Sequence, residues 1–279
     1  MQQALAKLLL PVLAPMLMVQ ALWLKRIMPR LPEAKGPREG LIDKGDQEAS
    51  IEGANLADLS MPTSVCTSPS DLAPSGVTTI NLLILGDSAA AGVGVGSQQQ
   101  ALSGYLTARL SEHYRVRWTL LARSGLTTNN TLTHLSGESW QACLRQGQYD
   151  VVLLSLGVND VLSPLSVTRW LSATERLLSQ LRQHSPKAQL LLTPVPPLGA
   201  FLAFPQPLRW FVGQRSDEFN RRLQQVIDAQ TGCQLLSLQL PLSADSLALD
   251  GFHPSESSYR LWAEVAAQQM LARRGINRD

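Results

Sequence analysis

Lysine is scarce in this 279-residue chain: five stand against 19 arginines, and none occurs between Lys44 and Lys187. A phosphate-binding P-loop needs Gly-Lys-Ser/Thr after a strand, and the chain has no such tripeptide. Schiff-base chemistry is left with Lys187 alone in the ordered-looking half. Cysteine is scarcer still. Cys66, Cys143 and Cys233 are far apart and form no C-x-x-C pair, which excludes zinc-ribbon and thioredoxin-like readings. At this size a disulfide framework is unnecessary. The four histidines, His113, His134, His184 and His253, show no H-E-x-x-H spacing, so metal-dependent chemistry has little support. A net charge of +2, from 24 basic and 22 acidic residues, makes no electrostatic case for nucleic acid as the main partner. What is present is an ordinary hydrophobic content of 44%, enough for one large core or two small ones.

Residues 8–24, LLLPVLAPMLMVQALWL, are apolar except for Gln20. As a helix this run would span about 25 Å, short of the roughly 30 Å hydrocarbon core of a bilayer. Pro11 and Pro15 would kink it, and Lys25, Arg26 and Arg30 follow. No small-x-small cleavage site follows, so it does not read as a signal peptide. Two readings remain: a membrane anchor or membrane-surface helix, and a hydrophobic helix packed on the domain. The first is adopted for residues 1–28. More Lys and Arg follow the run than precede it, and the cysteines are unpaired; both favour the cytoplasmic face over a periplasmic or secreted location. Residues 29–78 are rich in Pro, Ser, Gly and charge with no sustained apolar period, and read as a linker of low order. Deleting residues 1–40 is therefore expected to release the protein from membranes and spare its activity.

From residue 79 to 274 the pattern becomes that of a folded domain, with a short tail at 275–279. Short apolar runs at Ile80–Gly86, Val116–Ala122, Val151–Gly157, Gln189–Thr193 and Gln234–Leu238 are strand candidates. Helical periodicity lies between them. Ser166 can cap a helix whose one face carries Trp170, Leu171, Thr174, Leu177, Leu178 and Leu181, and similar faces recur at Phe219, Leu223 and Val226 and at Tyr259, Trp262, Ala266 and Met270. Strand–helix alternation implies an α/β domain with a parallel sheet covered on both faces. Ligands in such domains bind beyond the carboxyl ends of the strands.

The residues at those ends carry the chemistry. The first strand runs into Gly86-Asp87-Ser88, which places a serine on a tight turn; alone, this is most often just a turn. Gly92, Gly94 and Gly96 invite a dinucleotide-loop reading, but the third glycine of the fingerprint falls on Ser97 and the run starts too late after the strand. After the second strand, Gly125 can turn its N–H towards an oxyanion, or serve only as a turn residue. After the third, Gly157-Val158-Asn159-Asp160 offers a side-chain amide in Asn159, while Asp160 reads as a turn-closing residue. Near the C-terminus Asp250 and His253 stand three apart in a glycine-containing turn, a spacing that lets the carboxylate reach Nδ1 and leaves Nε2 free as a base. Between Thr193 and Phe211 lie five prolines and four of the chain's fifteen aromatics, Phe201, Phe204, Trp210 and Phe211. They either wall an acyl pocket or cover the edge of the core.

Taken in order, Ser88, Gly125, Asn159 and the Asp250–His253 pair resemble the blocks of the SGNH (GDSL-type) serine hydrolase superfamily over about residues 79–274. Ala89 stands where the family name has Leu. The stretch RLPEAKGPREG looks like a segment that precedes the hydrolase domain in some bacterial members, and 41–76 looks like an insertion. The resemblance implies a flavodoxin-like three-layer α/β/α sandwich and no cofactor. It also implies roles: Ser88 as nucleophile, His253 as base, Asp250 as its orienting partner, and Ser88, Gly125 and Asn159 as the oxyanion hole. The expected activity is hydrolysis of a carboxyl ester, of an acyl lipid or another acyl ester. Thioesterase or lysophospholipase activity, carbohydrate acetylesterase activity, and a membrane-tethered binding module without catalysis remain as alternatives.

Overall fold

A computed structural model describes residues 2–44, 78–145, 147–239 and 244–275, with side chains from residue 12 onward. In chain order the elements are α1 (Gln2–Ile27), β1 (Glu39–Ile42), β2 (Thr79–Gly86), α2 (Leu102–Ser111), β3 (Arg115–Ala122), α3 (Thr128–Leu135), α4 (Glu138–Arg145), β4 (Val151–Ser155), α5 (Val158–Leu162), α6 (Val167–His184), β5 (Gln189–Leu192), α7 (Leu208–Asp228), β6 (Cys233–Leu235) and α8 (Glu256–Arg273). The sheet order is β1-β3-β2-β4-β5-β6. Every pair is parallel except β1 against β3.

The strands are apolar runs because both sheet faces are covered. In β2, Ile80, Leu82 and Ile84 join one buried cluster with Leu102, Leu106 and Leu110 of α2 and Tyr259, Trp262 and Met270 of α8. Leu83 and Leu85 point the other way, to Trp170, Leu177 and Leu178 of α6 and Phe219 and Leu223 of α7. β4 divides likewise, Val151 and Leu153 to the first face, Val152 and Leu154 to the second. The three-layer α/β/α arrangement expected from the alternation is what forms. The helix over 167–184 starts where its cap lies, with Ser166 Oγ accepting from Arg169 N–H at 3.4 Å. β4 ends at Ser155, two residues before the expected Gly157, because the chain turns there into α5.

Register, not sequence distance, assembles the site. Gly86 at the end of β2 pairs with Ala122 at the end of β3 on one side and Ser155 at the end of β4 on the other. The three following loops, bearing Ser88, Gly125 and Asn159, therefore leave one edge of the sheet. β2 is also where the strand order reverses, the place such sheets use for ligands.

The low-order linker expected over 29–78 is corrected for its first part. Residues 39–42 form an antiparallel edge strand on β3, with Leu41 opposite Arg117 and Ile42 opposite Val116. Ala34 is buried and its N–H donates to Ala91 O at 3.2 Å. The segment carries little apolar signal because backbone and charged groups, not an apolar face, hold it. The rest of that span, 45–77, lies outside the described residues, as does nearly all of the 275–279 tail.

In α1, Leu17 and Leu24 are buried against the domain. Gln20, the polar residue of the apolar run, bridges to α7: its Oε1 accepts from Leu208 N–H at 3.1 Å and its Nε2 donates to Gln206 O at 2.7 Å. An orphan donor at the helix start is thereby satisfied. The other face leaves Val12, Met16, Met18, Val19, Leu22, Trp23 and Ile27 exposed. Among the described residues no helix is long and apolar enough to cross a membrane.

Candidate active site

Ser88 sits in the turn that follows β2. Asp87 N–H donates to Ser155 O at 3.1 Å, Ala91 N–H to Asp87 O at 2.9 Å and Val93 N–H to Ser88 O at 3.0 Å. Tyr259 Oη, buried on α8, donates to Val93 O at 2.7 Å. Burial, with Asp87 and Asp250 nearby, pushes the Tyr259 phenol well above its ordinary range, so it stays a donor. Small side chains at Ala89, Ala90 and Ala91 let this turn pack against the sheet end.

His253 reaches Ser88 from the other end of the chain. Its Nε2 lies 2.9 Å from Ser88 Oγ, and its Nδ1 lies 2.5 Å from Asp250 Oδ2. The second Asp250 oxygen accepts from the N–H groups of Phe252 (3.0 Å) and His253 (2.9 Å). Burial pushes Asp250 up, but these bonds outweigh it and hold its carboxyl below the ordinary range, so it is ionised at neutral pH. The loop is closed by Ala248 N–H to His253 O at 2.8 Å and by a bridge between Leu247 and Pro254.

Asn159 lies in the first turn of α5. Gly157 before it adopts φ +118°, and a Cβ there would stand 2.8 Å from Val195 Cγ2, so no other residue makes this turn without strain. Asn159 Nδ2 donates to Leu126 O at 2.9 Å and, more weakly, to Asp87 Oδ2 at 3.4 Å. The neighbouring Asp160 is fully buried and accepts from Thr128 N–H (3.0 Å) and Thr128 Oγ1 (3.0 Å). Thr128 Oγ1 in turn accepts from Trp170 Nε1 at 3.1 Å, so Asp160 ties α5 to α3 and α6. Gly125 stands exposed in the β3–α3 loop at φ +80°, with no atom within 4 Å of where a Cβ would be.

Asp87 is the titratable neighbour that sequence reasoning passed over as part of a turn. It is 2% exposed and accepts from Ala89 N–H at 3.1 Å. Burial pushes it up to about 7; the Ala89 bond and His253 offset part of this, and Asp160 adds to it. Its only early signal is position, one residue before Ser88 at the end of a buried strand.

An apolar cavity of about 200 Å³ opens at Ser88 and His253 and runs between Val195, Phe201, Leu238, Leu247, Phe252 and Trp262. Of the four aromatics expected to wall such a pocket, Phe201 lines it. Phe204 does not: it is buried behind, 6.4 Å from Phe201 and edge-on to Phe252 at 5.8 Å. Trp210 and Phe211 are corrected outright, for neither lines the cavity. Both lie on the first turn of α7, and Phe211 turns to the Arg215 guanidinium, 5.8 Å away. Phe252, not expected, contributes because it neighbours His253 and meets Phe201 edge-on at 5.9 Å.

The model of the GDSL-like lipase/acylhydrolase family matches residues 84–261. Among solved structures, the chain is similar to a psychrotrophic esterase from Pseudoalteromonas sp. (20% identity, TM-score 0.54, covering 70% of this chain and 98% of that one). It is also similar to a lipase from a goat rumen metagenome (19% identity, TM-score 0.57, 71% and 99%). A family two carbohydrate esterase from Clostridium thermocellum, solved in complex with cellohexaose, is a third (16% identity, TM-score 0.53, 74% and 67%). At these identities the likeness is one of fold. No curated protein matches the sequence.

Proposed function

The chain belongs to the GDSL-like lipase/acylhydrolase family, and within it we propose that this protein is a metal-independent serine esterase acting on esters with an apolar acyl chain. Ser88 Oγ attacks the ester carbonyl as His253 Nε2 takes its proton. The alcohol leaves with that proton, and water attacks the resulting acyl-enzyme by the same route in reverse. Asp250, ionised and bonded to Nδ1, keeps the lone pair on Nε2 and steadies the imidazolium. The oxyanion is met by the N–H groups of Ser88 and Gly125 and by Asn159 Nδ2. An amide nitrogen has two hydrogens; the short bond to Leu126 O holds the group in place, and the long one to Asp87 is the one an oxyanion displaces.

The observation that carries this reading is the relay Ser88 Oγ–His253 Nε2 at 2.9 Å and His253 Nδ1–Asp250 Oδ2 at 2.5 Å, at the mouth of an apolar cavity. The same cavity favours acyl chains over acetyl groups. The test is a fluorophosphonate probe with an acyl-length series of p-nitrophenyl esters. Labelling at Ser88 and kcat/KM rising by up to about fourfold per methylene, from about 0.8 kcal/mol per buried CH₂, are expected until the cavity is full. Best activity on acetyl esters would turn the substrate reading towards a carbohydrate acetylesterase, and absence of labelling towards a binding module.

Membrane attachment through residues 8–24 is the second part of the proposal, with α1 lying on the lipid surface. Its support is the exposed apolar face from Val12 to Ile27 and the exposed Lys25, Arg26 and Arg30 beside it. More Lys and Arg follow the apolar run than precede it, which favours the cytoplasmic face. Val19→Asp with Trp23→Asp should abolish co-sedimentation with anionic vesicles and leave hydrolysis of soluble esters unchanged. Retained co-sedimentation overturns it. Protease protection in intact cells decides the face.

A further inference from the structure

We propose that Glu33 is a positioning residue for the oxyanion hole, and that the strap 33–38 is a working part of the catalytic frame. The inference rests on Gly125 serving as an oxyanion donor. Glu33 Oε1 accepts from Ser124 N–H at 2.7 Å, one residue before Gly125. Its other oxygen pairs with Arg38, whose Nη1 donates to Ala122 O at 2.5 Å. Leu120 N–H donates to Arg38 O at 2.6 Å. The pair thus clasps both the last peptide of β3 and the loop that leaves it. Glu33 is half-buried; burial pushes its carboxyl up, but the bonds from Ser124 and Arg38 outweigh that and keep it ionised.

The same strap grips the nucleophile turn. Ala34 N–H donates to Ala91 O and Lys35 N–H to Gly96 O, both at 3.2 Å, and Gln98 N–H returns to Lys35 O at 2.8 Å. Gln98, buried, donates through Nε2 to Ala34 O and Ala91 O, each at 3.1 Å. One short segment therefore sets the distance between the loop of Ser88 and the loop of Gly125.

This matters because the space beside Gly125, where a Cβ would stand, is open, with no atom within 4 Å. Between buried Ala122 and buried Leu126, residues Arg123, Ser124 and Gly125 are exposed. An oxyanion donor contributes when it is aimed before the reaction, and a displacement of about 1 Å can cost about 10²-fold. A carboxylate on Ser124 N–H fixes the plane that precedes the donor.

The experiment measures kcat and KM on a soluble p-nitrophenyl ester with the full chain, normalised by fluorophosphonate titration. Glu33→Ala should lower kcat by about tenfold or more with KM within about twofold, the signature of an interaction made in the transition state. Glu33→Gln, whose amide oxygen still accepts from Ser124 N–H, should regain most of the loss. Glu33→Asp keeps the charge, cannot span the distance, and should resemble Glu33→Ala; it serves if Glu33→Ala does not fold. Unchanged kcat in folded Glu33→Ala or Glu33→Asp, a rise in KM alone, or Glu33→Gln as slow as Glu33→Ala overturns the proposal. These outcomes concern the strap alone when Ser88→Ala is inactive; an active Ser88→Ala overturns the site reading and this inference with it.

Discussion

Two kinds of loop leave the same sheet edge. Those after β2 and β4 each fix their working side chain within a few residues: Ser88 by the turn closed from Asp87 to Val93, Asn159 by the left-handed Gly157 and the first turn of α5. The loop after β5 is proline-rich, and its side chains take their places from distant partners. Phe201 meets Phe252, and Val195 is held through both N–H and C=O by the Asn220 side chain at 2.8 and 2.7 Å. Local backbone geometry dictates the first kind; tertiary packing decides the second. The first should therefore govern rate in large steps, the second substrate preference in small ones.

The largest test of that division is on the relay. Ser88→Ala should lower kcat/KM by about 10⁴-fold or more, and Asp250→Asn, which leaves the shape but favours the wrong His253 tautomer, by about 10⁴-fold. Folded variants retaining more than about a tenth of the activity would place the chemistry elsewhere. Asn159→Ala comes next, with kcat down about 10²- to 10³-fold and KM nearly unchanged. A change confined to KM would make Asn159 a binding group, and the contrast between the loops would lose its rate-controlling half.

What could be read in the chain beforehand follows the same line. Ser88 and Asn159 were legible because each motif is local and follows a strand whose end is in register with its neighbour, and Asp250 and His253 because they stand three residues apart in one turn. The parallel core was legible because β2 and β4 are buried on both faces and so are unbroken apolar runs. The strap was not, because Glu33 and Arg38 find their partners 84 to 91 residues away through polar atoms that leave no periodic trace. Removing residues 1–40 would take away Glu33, Ala34, Lys35 and Arg38 with the apolar helix, so under the strap proposal that cut lowers activity as well as membrane attachment. Trp210 and Phe211 misled because composition marks an aromatic loop without showing which ring turns inward.

A smaller effect comes from Asp87, the cost of so tight a nucleophile turn. Its carboxyl is raised from 3.8 to about 7, so the native state holds the proton more firmly than the unfolded chain does. The stability this contributes is complete below about pH 4 and is lost as pH rises through about 7. At about 1.4 kcal/mol per unit, the loss for this fully buried group is a few kcal/mol. Asp87→Asn should therefore gain stability on the wild type between pH 5 and pH 8 in urea titrations. A gap that does not change with pH would mean that Asp87 is ionised throughout, and that this turn carries no such burden.

The smallest expected effects fall on the proline-rich loop, and there the comparison can be sharpened residue by residue. Phe201 lines the cavity; Trp210, sixteen residues after the loop leaves Pro194, does not. Phe201→Ala removes apolar surface that an extended acyl chain covers and an acetyl group does not reach. Losing two or so methylene-sized contacts, at about 0.8 kcal/mol each, should lower kcat/KM for octanoyl esters about tenfold more than for acetyl esters. Trp210→Ala should leave that ratio within about twofold, since its ring has no part in the cavity wall. Phe204→Ala belongs between them: it touches no substrate, but it stacks on Phe201 and supports Phe252, so its effect is transmitted through the position of those rings. The measurement is the octanoyl-to-acetyl ratio of kcat/KM for the three folded variants. If Trp210→Ala shifts the ratio as far as Phe201→Ala does, the acyl chain does not follow the Val195–Phe252 cavity. Preference would then be set at the first turn of α7, where Trp210 lies.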